Sequence, residues 1–243
     1  MNMYDSIAAN YERIFPLEKE KTAFVQSFFA PGARVFDAGC ATGELAFELC
    51  KAGYKTVGVD LNTAMIVRAQ KAAKEAVRRF CAEQAPEFYT ADMRSLSTFG
   101  IFDAVLCFGN TLVHLENKDE VSAFFSSVYK NLACGGTFIF QILNYDIILA
   151  EQKVDFKTIE TADFIFKRKY EFPSGEKIGF VIEFTDKLRN RTFCERTLLL
   201  PLKQKEIYDF LKSTGFADMH AYSDFRRTKS DMREFATIYT AQK

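Results

Sequence analysis

Three features of the chain predict an α/β fold, doubly wound around a mostly parallel sheet. Through residues 32–150, short apolar runs of strand length alternate with longer segments of helical periodicity. The run I-F-D-A-V-L-C-F-G-N, residues 101–110, is nearly continuous in apolar side chains, as suits a strand covered by helices on both faces. Third, Val35 to Glu44 reads V-F-D-A-G-C-A-T-G-E: an apolar run ends in an acid, passes through a turn with glycines at Gly39 and Gly43, and enters a helical pattern at once. Strand, glycine turn and helix in that order build a ligand site at the carboxyl edge of a parallel sheet. The helix start leaves backbone N–H groups unpaired, which favours a polar or anionic ligand group, and the glycines let the backbone come close to it.

Composition narrows the choice further. At 243 residues, 48% hydrophobic, with 26 Phe and no Trp, the chain suits one domain with an insertion and an aromatic-rich interior. A formal net charge of zero argues against a large basic field for nucleic acid. No apolar run approaches the roughly 20 residues that span a bilayer, and the first residues lack the basic-then-apolar pattern of a signal peptide, so the expected setting is cytoplasmic and not membrane-bound. Six scattered cysteines without a C-x-x-C pair read mostly as buried free thiols of a reducing compartment. His114 and His220 lie far apart without ligand spacing, so no metal site is expected.

Along the chain, Tyr4, Ile7, Ala8 and Tyr11 fall on one helical stripe. Pro16 interrupts it, a helix resumes over Leu17 to Phe29, and Pro31-Gly32 ends it. After the first strand and its glycine turn, a helix over Glu44 to Lys51 closes at Gly53. The second strand, K-T-V-G-V-D, ends in Asp60; a helix follows from Ala64 to about Ala82, with Asn62 or Thr63 as its cap. A brief third strand covers Glu87 to Thr90, the fourth is the 101–110 run, a helix spans Lys118 to Leu132, and T-F-I-F-Q-I-L makes the fifth strand after Gly135-Gly136. From about Phe156 to Leu200 apolar and polar residues alternate between turn signals, which predicts an antiparallel sheet of three or four strands. A helix over Lys203 to Ser213 closes at Gly215, and strands at 216–224 and 235–241, joined by a short polar loop, should pair antiparallel. The reading divides the chain into a helical lid (1–31), a ligand-binding core (32–150), an antiparallel insertion (151–201) and the end of the core sheet (202–243).

Asp60 lies 17 residues beyond Gly43, the spacing at which a carboxylate at the tip of a second strand accepts both hydroxyls of a ribose. With that residue and motif order in place, the chain resembles the class I S-adenosylmethionine-dependent methyltransferases over most of its length, the insertion more loosely. Their motif I resembles V-F-D-A-G-C-A-T-G, with Ala41 where many members have glycine; their second-strand acid corresponds to Asp60 in G-V-D-L-N-T-A-M-I, and their adenine-site acid to Asp92 in T-A-D-M. The resemblance implies a Rossmann-like, seven-stranded sheet in the order 3-2-1-4-5-7-6, with strand seven antiparallel. C-F-G-N-T-L-V-H-L and I-L-N-Y-D-I-I-L are also similar to the glycine/sarcosine N-methyltransferase group, in which residues matching Asn110 and Tyr145 border the acceptor pocket. That group carries an arginine for the acceptor carboxylate just before N-Y-D, where this chain has Leu143. The missing clamp argues for a less anionic or more apolar small acceptor than glycine or sarcosine.

The implied activity is transfer of a methyl group from S-adenosyl-L-methionine to an N or O atom of a small molecule. The cofactor would meet Tyr11, then Asp37, Gly39, Cys40, Ala41 and Gly43 of motif I. It would meet Asp60, Leu61 and Met65 after the second strand, Asp92 and Met93 after the third, and Phe108 and Gly109 after the fourth. In this reading Leu61 and Met93 sandwich the adenine. Asn110 sits near the methyl, His114 is the candidate base, and Tyr4, Asn110 and Tyr145 line the acceptor pocket. Two rival uses of the scaffold are an RNA-modifying enzyme, employing the basic loop Arg226, Arg227, Lys229 and Arg233, and a non-catalytic cofactor-binding module. A nicotinamide dehydrogenase fits Ala41, Asp92 and the terminal hairpin badly. The exposed sheet of the insertion offers an edge for a homodimer.

Overall fold

The computed structural model describes residues 7–80, 85–154 and 156–243. Seven strands form the main sheet: β1 (Arg34–Ala38), β2 (Lys55–Asp60), β3 (Glu87–Thr90), β4 (Phe102–Cys107), β5 (Leu132–Leu143), and, late in the chain, β10 (Ala217–Tyr222) and β11 (Ala236–Gln242). Their order is β10-β11-β5-β4-β1-β2-β3, parallel except for β11, which pairs antiparallel with both β5 and β10. This is the doubly wound arrangement expected from the alternation of strands and helices, in the Rossmann-like strand order that the resemblance implied. β1 has β2 on one side and β4 on the other, so the chain reverses its winding there, and a crevice opens at the carboxyl ends of β1 and β4.

Both faces of the sheet are covered, and residue alternation shows it. Phe36, Val105 and Phe138 point into one core with Phe124 and Phe125, whereas Val35, Leu106 and Ile139 point into the other with Phe24, Leu45 and Leu49. The covering helices are α1 (Tyr11–Ile14), α2 (Lys19–Gln26), α3 (Glu44–Lys51), α4 (Thr63–Phe80), α5 (Lys118–Asn131), α6 (Tyr145–Glu151) and α7 (Gln204–Thr214). Asn62 caps α4, its Oδ1 accepting the Met65 amide at 2.9 Å, and Gly215 closes α7 in the left-handed conformation. A second sheet, β6 (Ile159–Glu160), β7 (Phe164–Glu171), β8 (Ile178–Asp186) and β9 (Arg191–Leu199), is antiparallel throughout. Its inner face, with Phe164, Phe166, Ile182 and Phe184, packs on Ile7, Ala8, Ile14, Ala41 and Met65. The second sheet therefore roofs the crevice of the first.

Several elements depart from the sequence reading. The helix expected over Leu17 to Phe29 is only Lys19–Gln26, and the preceding stripe breaks into a 3-10 turn (Ala8–Asn10) and one turn of α1 before Pro16. Helix α6 has no strong periodic signal; Asn144 starts it by accepting the Ile147 amide. Strand β5 begins at Leu132 and runs through Gly135-Gly136, because a register shift against β4 lets the glycines stay in the strand. Cys40 and Cys107 are buried, but Cys134 and Cys194 are exposed, Cys134 at this irregular start of β5 and Cys194 on the outward side of β9. Tyr4, Cys81 and the expected end of the α4 helix near Ala82 lie outside the described residues. Among the described residues no helix is long and apolar enough to cross a membrane, and no group of metal-binding side chains gathers.

Candidate active site

The loop after β1 is held from below. Gly39 and Cys40 donate their amides to the Val59 carbonyl at 2.8 and 2.9 Å, and Gly43 donates to the Cys40 carbonyl. The Asp60 carboxylate, at the tip of β2, accepts the Ala41 amide at 3.0 Å and the Asn62 amide at 2.8 Å. Four of the loop's amides are therefore spent inside the fold, while Thr42, Glu44 and Leu45 at the helix start line the larger cavity. The two motif glycines also serve packing. Both have positive φ, a Cβ on Gly39 would strike Thr111, and a Cβ on Gly43 would strike the Phe88 ring of β3. Gly43 faces Phe88 and lines neither cavity at the site. Ala41 also holds a left-handed φ of 49°. That backbone explains why glycine is common at this position in the family that the motif resembles.

Two cavities meet at this loop. The smaller, about 330 Å³, is lined by Asp60, Leu61, Met65, Asp92 and Met93. The larger, about 660 Å³, is lined by Asp37, Cys40, Lys21, Phe108, Asn110 and, on the side of the second sheet, Arg168 and Tyr170. Tyr11, Gly39, Ala41, Gly109, Thr111 and His114 border both. The sequence-predicted residues Tyr11, Asp37, Gly39, Cys40, Ala41, Asp60, Leu61, Met65, Asp92, Met93, Phe108, Gly109, Asn110 and His114 thus come together on one continuous groove. Leu61, 65% exposed, and buried Met93 both line the smaller cavity.

The charges in the groove are unusual. Asp37 is buried at the end of β1; desolvation pushes its carboxyl up to about 7, Lys21 opposing and Asp60 adding to the rise. Lys21 of α2 lies over the rings of Phe108 and Phe225 at 5.5 and 5.4 Å, and burial lowers its pKa against the opposing fields of Glu18, Asp37 and Glu44. Burial likewise raises Asp60, offset by the two amides that it accepts. Asp92 is held below the usual carboxylate range by Arg94, whose Nη2 lies 2.6 Å from Oδ2. His114, in a 3-10 turn after β4, is pushed down to about 4 by burial and is neutral at physiological pH.

At the acceptor end, Asn110 sits in the left-handed conformation, which asparagine tolerates better than most residues. Its Oδ1 accepts the Leu143 amide at 3.1 Å and its Nδ2 donates to the Tyr145 hydroxyl at 2.8 Å. Tyr145, expected as a wall of the pocket, is fully buried behind it and does not line the cavity; its hydroxyl lies 3.5 Å from that of Tyr170, which does. Tyr145 at the start of α6 therefore braces Asn110 and Tyr170. The sequence reading missed Lys21 and Arg168. A lysine in K-E-K-T and an arginine in F-K-R-K-Y read as solvated charges, although the period-2 pattern places Arg168 on the same face as Phe164 and Phe166. In the basic loop at 226–233, Arg226 meets Glu20 at 3.3 Å and Arg227 lies over Phe28 and donates to Ser27, while Arg226, Arg227, Lys229 and Arg233 all stay exposed.

Known proteins match this fold and groove. Residues 35–136, the stretch carrying β1 to the start of β5, match the family described as "Methyltransferase domain". The chain is 30% identical, over 86% of its length and 72% of the relative's, to a glycine/sarcosine N-methyltransferase of Parasynechococcus marenigrum. The chain belongs to the class I S-adenosylmethionine-dependent methyltransferases. It is also similar to the glycine/sarcosine N-methyltransferase of Aphanothece halophytica, 29% identical over 84% of this chain and 74% of that one. Its fold is shared with the crystal structure of an S-adenosylmethionine-dependent methyltransferase from Clostridium acetobutylicum, at a TM-score of 0.81 and 20% identity over 99% of both chains. This methyltransferase takes S-adenosylmethionine as its cofactor, and the groove suits that molecule. One cavity is lined by Asp60 together with apolar Leu61, Met65 and Met93, and the other by Lys21 together with Asp37 and Glu44, chemistry that can meet a nucleoside and a zwitterionic head group.

Proposed function

We propose that this enzyme methylates an amine nitrogen of a small molecule. The observation that carries the reading is His114, the one histidine in the groove, at the junction of the two cavities with its pKa pushed down to about 4. A hydroxyl must lose its proton as it is methylated and needs a competent base; an imidazole so acidified is a poor one. An amine, once its ammonium form has given a proton to water, attacks with its own lone pair and leaves as the methylated ammonium, so it asks the site only for a hydrogen-bond partner. The curated relatives named for N-methylation support nitrogen as the acceptor atom.

When bound, S-adenosylmethionine supplies a methyl group on a sulfonium centre that departs as a thioether. The chain's own part is placement and exclusion of water. Asp60 takes the ribose hydroxyls, with Leu61 and Met93 against the adenine and Asp92 at its amine edge. Lys21 and Asp37 meet the carboxylate and ammonium of the amino-acid head group. Asn110, braced by Leu143 and Tyr145, orients the acceptor nitrogen at the junction, beside Tyr11 and His114. Positioning of this kind contributes roughly 7–11 kcal/mol in favourable cases. The N-terminal segment acts as a lid, since Tyr11, Ile14 and Phe15 of α1 and its flank line the larger cavity.

A formal net charge of zero, and the partners that Arg226 and Arg227 find on α2 and its flank, favour a small molecule over RNA. The test is methyl transfer from radiolabelled cofactor to matched small amines and phenols. Labelled amines with unlabelled phenols support the reading; labelled phenols alone, or labelled transfer RNA, overturn it.

A further inference from the structure

Strand β7 alternates F-I-F-K-R-K-Y, and residues 164, 166, 168 and 170 share its inward face. The outward Lys167 and Lys169 each have an acid, Glu183 at 3.0 Å and Glu171 at 2.9 Å. Arg168, facing inward, has none among the described residues. Its Nε is buried without a hydrogen-bond partner, and its guanidinium lies 5.3, 5.0 and 5.5 Å from the ring centres of Phe15, Phe156 and Phe166. Burial lowers its pKa, and no carboxylate opposes that fall. A partly buried cation with a buried, unpartnered Nε and only aromatic rings around it is expected where a ligand completes it.

We propose that Arg168 is the acceptor's carboxylate clamp, so that the substrates are amino acids with an apolar or aromatic body; this rests on the amine reading above. Guanidinium and carboxylate match as two parallel hydrogen bonds. Arg168 lines the same cavity as Leu143, Asn110 and His114, so the charge absent at the Leu143 position is provided from the insertion instead. Leu143 alone pointed to a less anionic acceptor, and Arg168 reverses that expectation. Phe15, Phe156, Phe166 and Phe180 take the apolar body, and Lys157 joins Arg168 and Lys21 as a third cation of the cavity lining. The head group of the cofactor is a competing anion, but Lys21 already stands with Asp37 and Glu44 in this cavity.

The test is calorimetric titration of protein loaded with S-adenosylhomocysteine, using phenylacetate, L-phenylalanine and 2-phenylethylamine as probes, on wild type, Arg168→Met and Arg168→Lys. Phenylacetate and phenylalanine should bind wild type, lose tenfold or more with Arg168→Met, and recover in part with Arg168→Lys. Phenylethylamine and S-adenosylhomocysteine should change less than twofold. Arg168→Met should melt no lower than wild type, since a partly buried charge with no acidic partner among the described residues is removed. Carboxylates that ignore wild type, or bind Arg168→Met equally, overturn the proposal. So does a tenfold loss of S-adenosylhomocysteine in Arg168→Met, which would assign the guanidinium to the cofactor. Failure of S-adenosylhomocysteine to bind wild type overturns the underlying reading, and the clamp with it.

Discussion

Replacing Asp37 by asparagine should change how the stability of the cofactor-free protein depends on pH. In the unfolded chain this carboxyl titrates near 3.8; in the fold, burial and the field of Asp60 push it up to about 7 despite Lys21. Between these values the folded state keeps a proton that the unfolded chain has released, so raising the pH across the window favours unfolding. The shift is about 3 units at about 1.4 kcal/mol each, which places the full loss near 4 kcal/mol by pH 8. At pH 4.5 only about 1 kcal/mol of it has been lost. Asparagine does not titrate. Urea denaturation at both pH values should show the stability of Asp37→Asn, relative to wild type, rising by about 3 kcal/mol from pH 4.5 to pH 8. A difference that stays constant would refute the argument that Asp37 is folded in its protonated form. The same reasoning predicts proton release near pH 6 when S-adenosylhomocysteine binds, because its ammonium favours the ionised carboxylate; calorimetry in buffers of different ionisation heat reads it directly.

Three other outcomes are expected. Ala41→Gly should stabilise the protein by about 1 kcal/mol in urea denaturation, since it relieves a left-handed alanine; an equal loss would mean that the methyl's packing outweighs the strain. Gly43→Ala should cost more than about 2 kcal/mol, because the new methyl meets Phe88 on a backbone that disfavours it, and a neutral result would contradict the observed packing. His114, lowered from 6.5 to about 4 by burial, releases its proton on folding in that window, so it makes stability rise with pH from about 4 to 6.5. His114→Gln should flatten that rise, and an inflection near 6.5 in the wild-type rate profile that vanishes with this variant would show the imidazole to be a working base.

The winding order was legible because the buried strands announce themselves: Val35-Phe36 and Ala104 to Cys107 are apolar on both faces, and the acid and glycines of motif I mark the strand's end. Asp60 was legible by its distance from Gly43, and Asn62 by its place before α4. What escaped depends on contacts between distant segments. The packing of Gly43 against Phe88, from β3, leaves no trace in the motif itself. Lys21 acquires its meaning from Phe108, Phe225 and Asp37, none of them near it in sequence. Tyr145 was assigned to the right neighbourhood but the wrong side of it, because α6, which turns it inward behind Asn110, carries little periodicity. Arg168 did leave a local trace, a charge on the apolar face of an alternating strand.

The central claim is that one groove holds the cofactor, with its ribose on Asp60 and its head group toward Lys21. Calorimetric titration of S-adenosylhomocysteine into wild type and Asp60→Asn tests it most directly. The account predicts micromolar binding that the substitution weakens tenfold or more, about 1.4 kcal/mol, with adenosine weakened to the same degree. Folded wild-type protein that binds neither compound, or an Asp60→Asn variant that binds both unchanged, would contradict it.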